Sequence, residues 1–476
     1  MESISKEVLN QKWEEYKQEV KNGANPQQLY QEEIWPSLLA LWKENPIVSP
    51  EFKKFDVSIH TLGTSPEATT LAILGTQADE IYILHTPETQ KHIEKIEADT
   101  GKRVYPLEIQ KSDVTKIYEK VVDIITKYED KDIALDITSG TKAMSAGLGA
   151  AGFFFRRFFD KIRVVYIDNE EYDTDLRRPR AGAEKLVILP SPHEVLADVD
   201  VLLAIEKYRS KDFYTAHDHL IAARRKSGNE KFKVFEELCL AYGKWYALEI
   251  GVAAKRMEEV LRNLEKDQFM NDPLRKYYNV FKIQKQILDA IKDVIYSKEE
   301  KSFENKKGIL ALAETLLWIA NKYGTENKIL SSLYTYRAFE LLLQLRLYSL
   351  GKTFETSSLT AEEQNALIDT LRKIFEQVEQ ELRPKLGLLQ ILVYLLNVKD
   401  ECTTKVISAE DVRNLAFMVS TRNSSILIHG LNIPEDKQIE KLKEKTEKLL
   451  KEIKRTERLD FSIQPVNIDY KLVFGH

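Results

Sequence analysis

Between Val57 and Ile167 the hydrophobic pattern switches repeatedly between short apolar runs and helical spacing, and that alternation admits few folds. The runs Val57–Leu62, Glu80–Leu84, Val104–Ile109, Asp132–Ile137 and Ile162–Ile167 read as strands. Helical patterns over Glu67–Thr76, up to about Ala98, and over Asp113–Lys127 lie between them, and a fourth follows Lys142. Ser65, Pro66 and Glu67 suit the N-cap, first position and first turn of a helix. Strands separated by helices need right-handed crossovers, so the expected fold is a parallel, Rossmann-like sheet.

Such sheets bind ligands beyond the carboxyl ends of their strands. Three polar turns fall on that edge: Gly63–Ser65, His85–Glu88 and Thr138–Lys142. The third is the richest. A buried strand carrying one acid, Asp136, breaks at Thr138-Ser139-Gly140-Thr141-Lys142 and leads into a small-residue helix. Strand, tight turn and helix N-terminus aim backbone N–H groups at an anion, and Ser139, Thr141 and Lys142 add hydroxyls and a cation. An ordinary capped turn has the same composition, so these residues alone leave both readings open. Gly147, Gly149 and Gly152 spell G-x-G-x-x-G, with Asp168 further on. They come after the turn rather than in it, so they read as close-packing residues and not as a nicotinamide-cofactor site.

The flanking segments differ. Met1–Asn45 reads as a helical extension broken at Asn25-Pro26. Asn169–Pro192 holds Arg177-Arg178-Pro179-Arg180-Ala181-Gly182, expected to form an irregular hairpin arm or linker, then a strand over Lys185–Leu189. Pro190-Ser191-Pro192 marks a boundary. Beyond it the chain is helical nearly to its end, with Asp460–Phe474 expected as a strand pair or extended tail. His217 and His219 lie on different helix faces and make a poor metal pair. The net charge of −5 gives no global attraction for nucleic acid, so a nucleic-acid site must be a local patch. Two distant cysteines, no 18-residue apolar run and a mixed-charge Met1–Gly23 fit a cytoplasmic protein with no membrane association.

One further pattern carries chemistry. Arg422 and His429 are seven residues apart, which on a helix places them on one face with Cα atoms about 10 Å apart. Asn423, Ser424 and Ser425 read as a capping turn. A histidine and an arginine on one face suit RNA cleavage: the imidazole moves a proton and the guanidinium stabilises a phosphorane-like transition state. A capped surface helix with an incidental Arg and His would look the same.

Taken in order, Asp136-Ile137-Thr138-Ser139-Gly140-Thr141-Lys142 and Arg422-Asn423 through His429-Gly430 resemble the motifs of the CRISPR-associated CARF–HEPN ribonucleases of type III systems. The resemblance runs from about Phe55 to the C-terminus. It implies a Rossmann-like CARF domain over 51–191 and a helical region with an all-α HEPN domain over 192–476, and does not require the helical extension over 1–50. It implies that Gly63, Thr64, Ser65, Thr138, Ser139, Gly140, Thr141 and Lys142 bind a cyclic oligoadenylate, the tetra- or hexa-adenylate, as allosteric activator. It implies a homodimer in which two copies of Arg422, Asn423 and His429 form one composite site. That site would cleave single-stranded RNA without a metal or cofactor, leaving 2′,3′-cyclic phosphate and 5′-hydroxyl ends. No stable complex with the interference effector is expected. Two alternatives stand beside it: a CARF pocket that degrades its own ligand through a hydroxyl or His60, and a sensor without nuclease activity.

Overall fold

The computed structural model describes residues 5–324, 327–375, 382–423 and 435–474. The chain forms two compact units, Met1–Leu196 and Ala197–His476.

The first unit is built on strands β1 (Val57–Thr61), β2 (Glu80–His85), β3 (Tyr105–Glu108), β4 (Ile133–Asp136) and β5 (Ile162–Asn169), all parallel. A hairpin arm of β6 (Tyr172–Asp173) and β7 (Arg178–Pro179) follows, and β8 (Glu184–Leu189) returns antiparallel to β5. The arm contains no helix, so the chain cannot cross over and pairs as a hairpin does. Strand order is β3-β2-β1-β4-β5-β8, so the order reverses between β1 and β4.

Helices in this unit are α1 (Lys6–Lys21), α2 (Pro26–Leu29), α3 (Trp35–Glu44), α4 (Pro66–Thr76), α5 (Ile93–Thr100), α6 (Val114–Lys127), α7 (Lys142–Phe155) and α8 (Pro192–Leu196). They cover both sheet faces. Ile81, Ile83, Ala134, Val165 and Ile167 pack with the N-terminal helices, α4 and α5. Val57, Ile59, Leu84, Ile133 and Leu135 pack with α6 and α7. In α6 the buried Ile117, Val121, Ile124 and Ile125 recur at helical spacing. Two of the G-x-G-x-x-G residues pack closely: a Cβ on Gly152 would sit 2.6 Å from Val164 Cγ2, and one on Gly147 3.2 Å from Ile117 Cγ2, whereas one on Gly149 would meet Ile137 at an ordinary 3.8 Å.

The N-terminal extension belongs to this unit's core. Leu9, Trp13, Ile34, Leu38 and Trp42 are buried in it. Its last segment shields the outer edge of β8, where the Leu186 N–H donates to Ile47 O and the Ser49 N–H to Leu186 O, both at 2.9 Å. The hairpin arm clasps the same helices. The Arg178 guanidinium lies 3.7 Å from the Tyr30 ring centre and donates to the Tyr16 hydroxyl at 2.8 Å. Lys17 pairs with Asp173 at 2.8 Å and Arg180 with Glu14 at 3.2 Å.

The second unit holds α9 (Asp198–Arg209), α10 (Phe213–Ser227), α11 (Lys233–Tyr246), α12 (Ile250–Leu264), α13 (Tyr278–Tyr296), α14 (Glu299–Ser302), α15 (Lys306–Tyr323) and α16 (Lys328–Ser349). It continues with α17 (Ala361–Ile374), α18 (Leu388–Asn397), α19 (Thr403–Val406), α20 (Ala409–Asn423), α21 (Asp436–Thr456) and α22 (Tyr470–Phe474). One apolar cluster is rich in aromatics and centres on Tyr208, Phe213, Tyr242 and Trp245. A second gathers α15, α16, α18 and α21 around leucines. Between α21 and α22 the chain is extended without strand pairing. It is held by side chains instead: Tyr208 donates to Val466 O and Tyr277 to Asn467 O, each at 2.9 Å, and Gln284 to Gln464 O at 2.8 Å. No helix among the described residues is long and apolar enough to cross a membrane.

The arm carries a buried acid, Glu184, whose carboxylate accepts the Gly182 N–H at 2.7 Å. Burial pushes its pKa up from 4.5 to about 7. Between those values the folded chain keeps a proton that the unfolded chain releases, so this group makes stability fall as pH rises. We expect Glu184→Gln to be more stable than the parent at pH 8, by at most about 3 kcal/mol. The difference should vanish near pH 4.5. Urea midpoints at both pH values measure it, and a pH-independent difference would refute the assignment.

Candidate functional site

The reversal of strand order between β1 and β4 opens a crevice at their carboxyl ends, the position where open α/β sheets bind ligands. Two of the expected turns meet there. The Gly63 N–H donates to Ser139 Oγ at 3.0 Å, and a Cβ on Gly63 would lie 2.9 Å from Gly140 N. Gly140 has φ +83°, and a Cβ there would lie 2.9 Å from Thr61 Cβ. Any side chain at Gly140 would therefore be strained and would collide with β1.

The hydroxyls of this turn divide into two groups. Thr138 donates its O–H to Asp136 Oδ1 and accepts the Ile167 N–H at 2.8 Å, which pins the turn to β5. Thr141 caps α7 through the Met144 N–H at 3.3 Å and donates to Lys111 O at 2.9 Å. Both hydroxyls are engaged, so toward a ligand these two residues offer backbone. Ser139 Oγ accepts from Gly63 and keeps its own proton. Thr64 and Ser65 are exposed, and Ser65 occupies the N-cap position of α4 without a side-chain cap bond. Lys142 is exposed at the first position of α7. A cation there opposes the helix dipole, so two positive features converge where an anion would relieve both.

Three supporting residues are invisible to motif reading. Thr61, the last residue of β1, donates its hydroxyl to Ser139 O, and Ser145 on α7 donates to the same carbonyl at 3.0 Å. Lys111 ties Thr141 to the His85–Glu88 turn through its ion pair with Glu88 at 2.7 Å. The sequence signal for Thr61 is weak: a hydroxyl residue at a strand end before a glycine.

His60 lies behind this surface. It is fully buried, with Nδ1 3.0 Å from Asp136 Oδ2 and Nε2 2.8 Å from Ser58 Oγ. Neither ring nitrogen is open to the crevice, which removes His60 as a group that could attack a bound ligand.

The second candidate site lies on α20. Its start is marked by Ser408 and Asp411, which cap each other: the Ser408 N–H donates to Asp411 Oδ2 at 3.0 Å and the Asp411 N–H to Ser408 Oγ at 3.3 Å. Lys445 on α21 reaches Asp411 at 2.8 Å. Burial raises the Asp411 pKa, but Lys445 and the Ser408 bonds outweigh it and hold the carboxyl down at about 2. Val412 and Leu415 anchor the helix in the leucine cluster. Arg422 and Asn423 are the last described residues of this helix. The expected capping turn at Asn423 is therefore corrected, because the helix that contains Asn423 starts at the Ser408 cap. Ser424, Ser425 and His429 lie outside the described residues.

Beneath α20, Arg346 of α16 makes a buried pair with Asp400 (Nη2–Oδ1 2.7 Å, Nε–Oδ1 3.1 Å). Asp400 also accepts the Thr403 N–H and O–H at 2.9 and 2.7 Å. A buried carboxylate so fully bonded fixes the chain leading into α20.

The family model described as the Csm6 HEPN domain matches residues 300–453, which include Arg422 through His429. The chain is 44% identical over 467 residues to the CRISPR system endoribonuclease Csm6 of Thermus thermophilus, covering 98% of this chain and all of that one. Among solved structures it is similar to Enterococcus italicus Csm6 bound to cyclic hexa-2′-fluoro-hexa-dAMP, at 13% identity and TM-score 0.43, over 84% of this chain and 95% of that one. It is also similar to Can2 of Sulfobacillus thermosulfidooxidans in complex with cyclic tetra-adenylate, at 12% identity and TM-score 0.22, over 33% of this chain and 49% of that one. With identity at that level along the whole length of the Thermus protein, the chain belongs to the Csm6 family of CRISPR-system endoribonucleases.

Proposed function

We propose that this chain is an endoribonuclease of CRISPR antiviral defence that a cyclic oligoadenylate switches on. The observation that carries the nuclease reading is the full-length identity to the Thermus endoribonuclease, together with Arg422 and His429 lying inside the matched HEPN stretch. The ligand reading rests on the crevice at the β1–β4 reversal, where Lys142, the α7 N-terminus and the hydroxyls of Thr64, Ser65 and Ser139 are gathered. A cyclic oligoadenylate presents phosphates to such a cradle and hydroxyls to its rim.

In this reading His429 takes or gives the proton at the 2′-hydroxyl or 5′-oxygen, Arg422 stabilises charge on the phosphorane and Asn423 orients them. In-line attack by the 2′-hydroxyl breaks the P–O5′ bond, giving a 2′,3′-cyclic phosphate and a 5′-hydroxyl, and needs no metal. The reaction uses a base and an acid, and one chain's motif supplies one histidine. A homodimer brings a second His429 by symmetry and completes a composite site. The ligand activates only to the extent that it binds the active arrangement of that pair more tightly. CARF and HEPN functions are assigned to 51–191 and to the helical region 192–476, and the protein acts in the cytoplasm on single-stranded RNA without a lasting complex with the interference effector.

The test is a fluorophore–quencher RNA incubated in EDTA with cyclic tri-, tetra- or hexa-adenylate. We expect rapid cleavage with one ring size; no cleavage with any of them would overturn the reading. His429→Ala should lower cleavage at least about a hundredfold while ligand affinity is kept. Lys142→Ala should weaken ligand binding roughly tenfold or more, the value of one charge-assisted hydrogen bond. Gly140→Ala should weaken it as well. Isothermal titration separates these outcomes, and unchanged affinity in both turn variants would show that the ligand lies elsewhere.

A further inference from the structure

Buried parallel strands are normally apolar throughout, and this sheet departs from that rule where β1 pairs with β4. Ser58, His60 and Asp136 all lie at 0% exposure in β1 and β4. His60 and Asp136 are direct partners in the parallel register, and Ser58 precedes His60 by two residues, so the pleat sets all three on one face. The hydrogen bonds run in one direction. A carboxylate only accepts, so His60 Nδ1 carries a proton and donates it to Asp136 Oδ2, while Nε2 faces the Ser58 hydroxyl. The other oxygen, Asp136 Oδ1, accepts the Thr138 N–H at 3.0 Å and the Thr138 O–H. The order Ser–His–Asp invites comparison with a hydrolytic triad, but here the serine is sealed from any substrate, and the line ends at the turn instead.

We propose that His60 is a positioning residue for the activator pocket: it locks the Asp136 carboxylate, and Asp136 in turn sets the Thr138–Lys142 turn in its ligand-ready shape. This rests on the reading of that turn as the cyclic-oligoadenylate site. The reasoning is one of hydrogen-bond supply. A fully buried carboxylate must have its lone pairs filled from within the protein. Without the imidazole, Oδ2 has lost its donor, and the group turns toward another donor or takes up a proton. Either response weakens Oδ1 as the anchor of Thr138. Thr138 is also the residue that accepts the Ile167 N–H of β5, so slack there spreads to the Ser139–Lys142 backbone.

The experiment compares His60→Leu, His60→Asn and Thr138→Val in the full-length protein. An asparagine amide can replace the Nδ1–H donor, and leucine cannot. The first readout needs no ligand: amide hydrogen exchange across residues 137–142. We expect exchange there to speed up about tenfold or more in His60→Leu and Thr138→Val, the loss of one hydrogen bond to a charged group, while the outer strands keep their protection. His60→Asn should restore the parent rate. The second readout is affinity for cyclic tetra- and hexa-adenylate, expected to fall in parallel, with the His60→Leu/Thr138→Val double variant no weaker than the weaker single one. Uniformly faster exchange over the whole sheet, failure of asparagine to rescue, or additive losses would overturn the proposal. If His60→Leu does not fold, His60→Ala, which also lacks the donor, takes its place in the comparison with His60→Asn. Absence of binding by the parent protein would overturn the ligand reading alone, and the exchange data would still decide the role of His60.

Discussion

A carboxylate with no access to water has to find its hydrogen bonds inside the protein, and the N-terminal unit places one such group, Asp136, at the point where its strand order reverses. Its three bonds face two ways, toward the His60 imidazole in β1 and toward the Thr138 amide and hydroxyl in the turn. Beyond this point the flanking strands β1 and β4 lead into the two turns, which are hydrogen-bonded to each other. The candidate pocket is thus no loop laid on a finished sheet. Its geometry is fixed from below by a polar connection through the sheet's own core.

That arrangement explains a division of labour that composition hides. Thr138, Thr141, Ser139 and Thr61 look interchangeable as hydroxyl residues. Thr138 and Thr141 spend theirs on β5, Asp136, Lys111 and the α7 cap, and Thr61 spends its on the Ser139 carbonyl. The groups left for a ligand are Lys142, the hydroxyls of Thr64, Ser65 and Ser139, and backbone N–H groups at the α7 N-terminus. A rigid cradle with few mobile donors loses little entropy when it binds, which favours discrimination between ligands of similar chemistry but different span.

The sheet was legible because its signals are local. Each strand is an apolar run and each crossover helix has its own period, although Ser65, at the expected N-cap position of α4, makes no side-chain cap bond. The glycine-rich string was legible too, since its place after the turn excluded a phosphate loop, and Gly152 indeed lies against β5. Other features depend on partners distant in sequence. His60 has the strand period of a half-exposed residue, and only its register with Asp136, 76 positions later, makes it a core residue. The C-terminal segment has strand-like alternation but no neighbouring strand, so tyrosine hydroxyls and an amide hold its carbonyls in place of a ladder. At Asn423, local capping preference pointed to a helix start, while Ser408 and Asp411 had already supplied one upstream.

The same contrast separates the two candidate sites. The turn after β4 has its own support, since every element that holds it belongs to the N-terminal unit. Arg422 lies on a helix whose start is pinned by Ser408, Asp411 and Lys445 and which Val412 and Leu415 bury in the leucine cluster. In the proposed composite site the support described for one copy therefore lies upstream of the chemical groups, and a ligand can decide between arrangements of the pair only through the difference in its affinity for them.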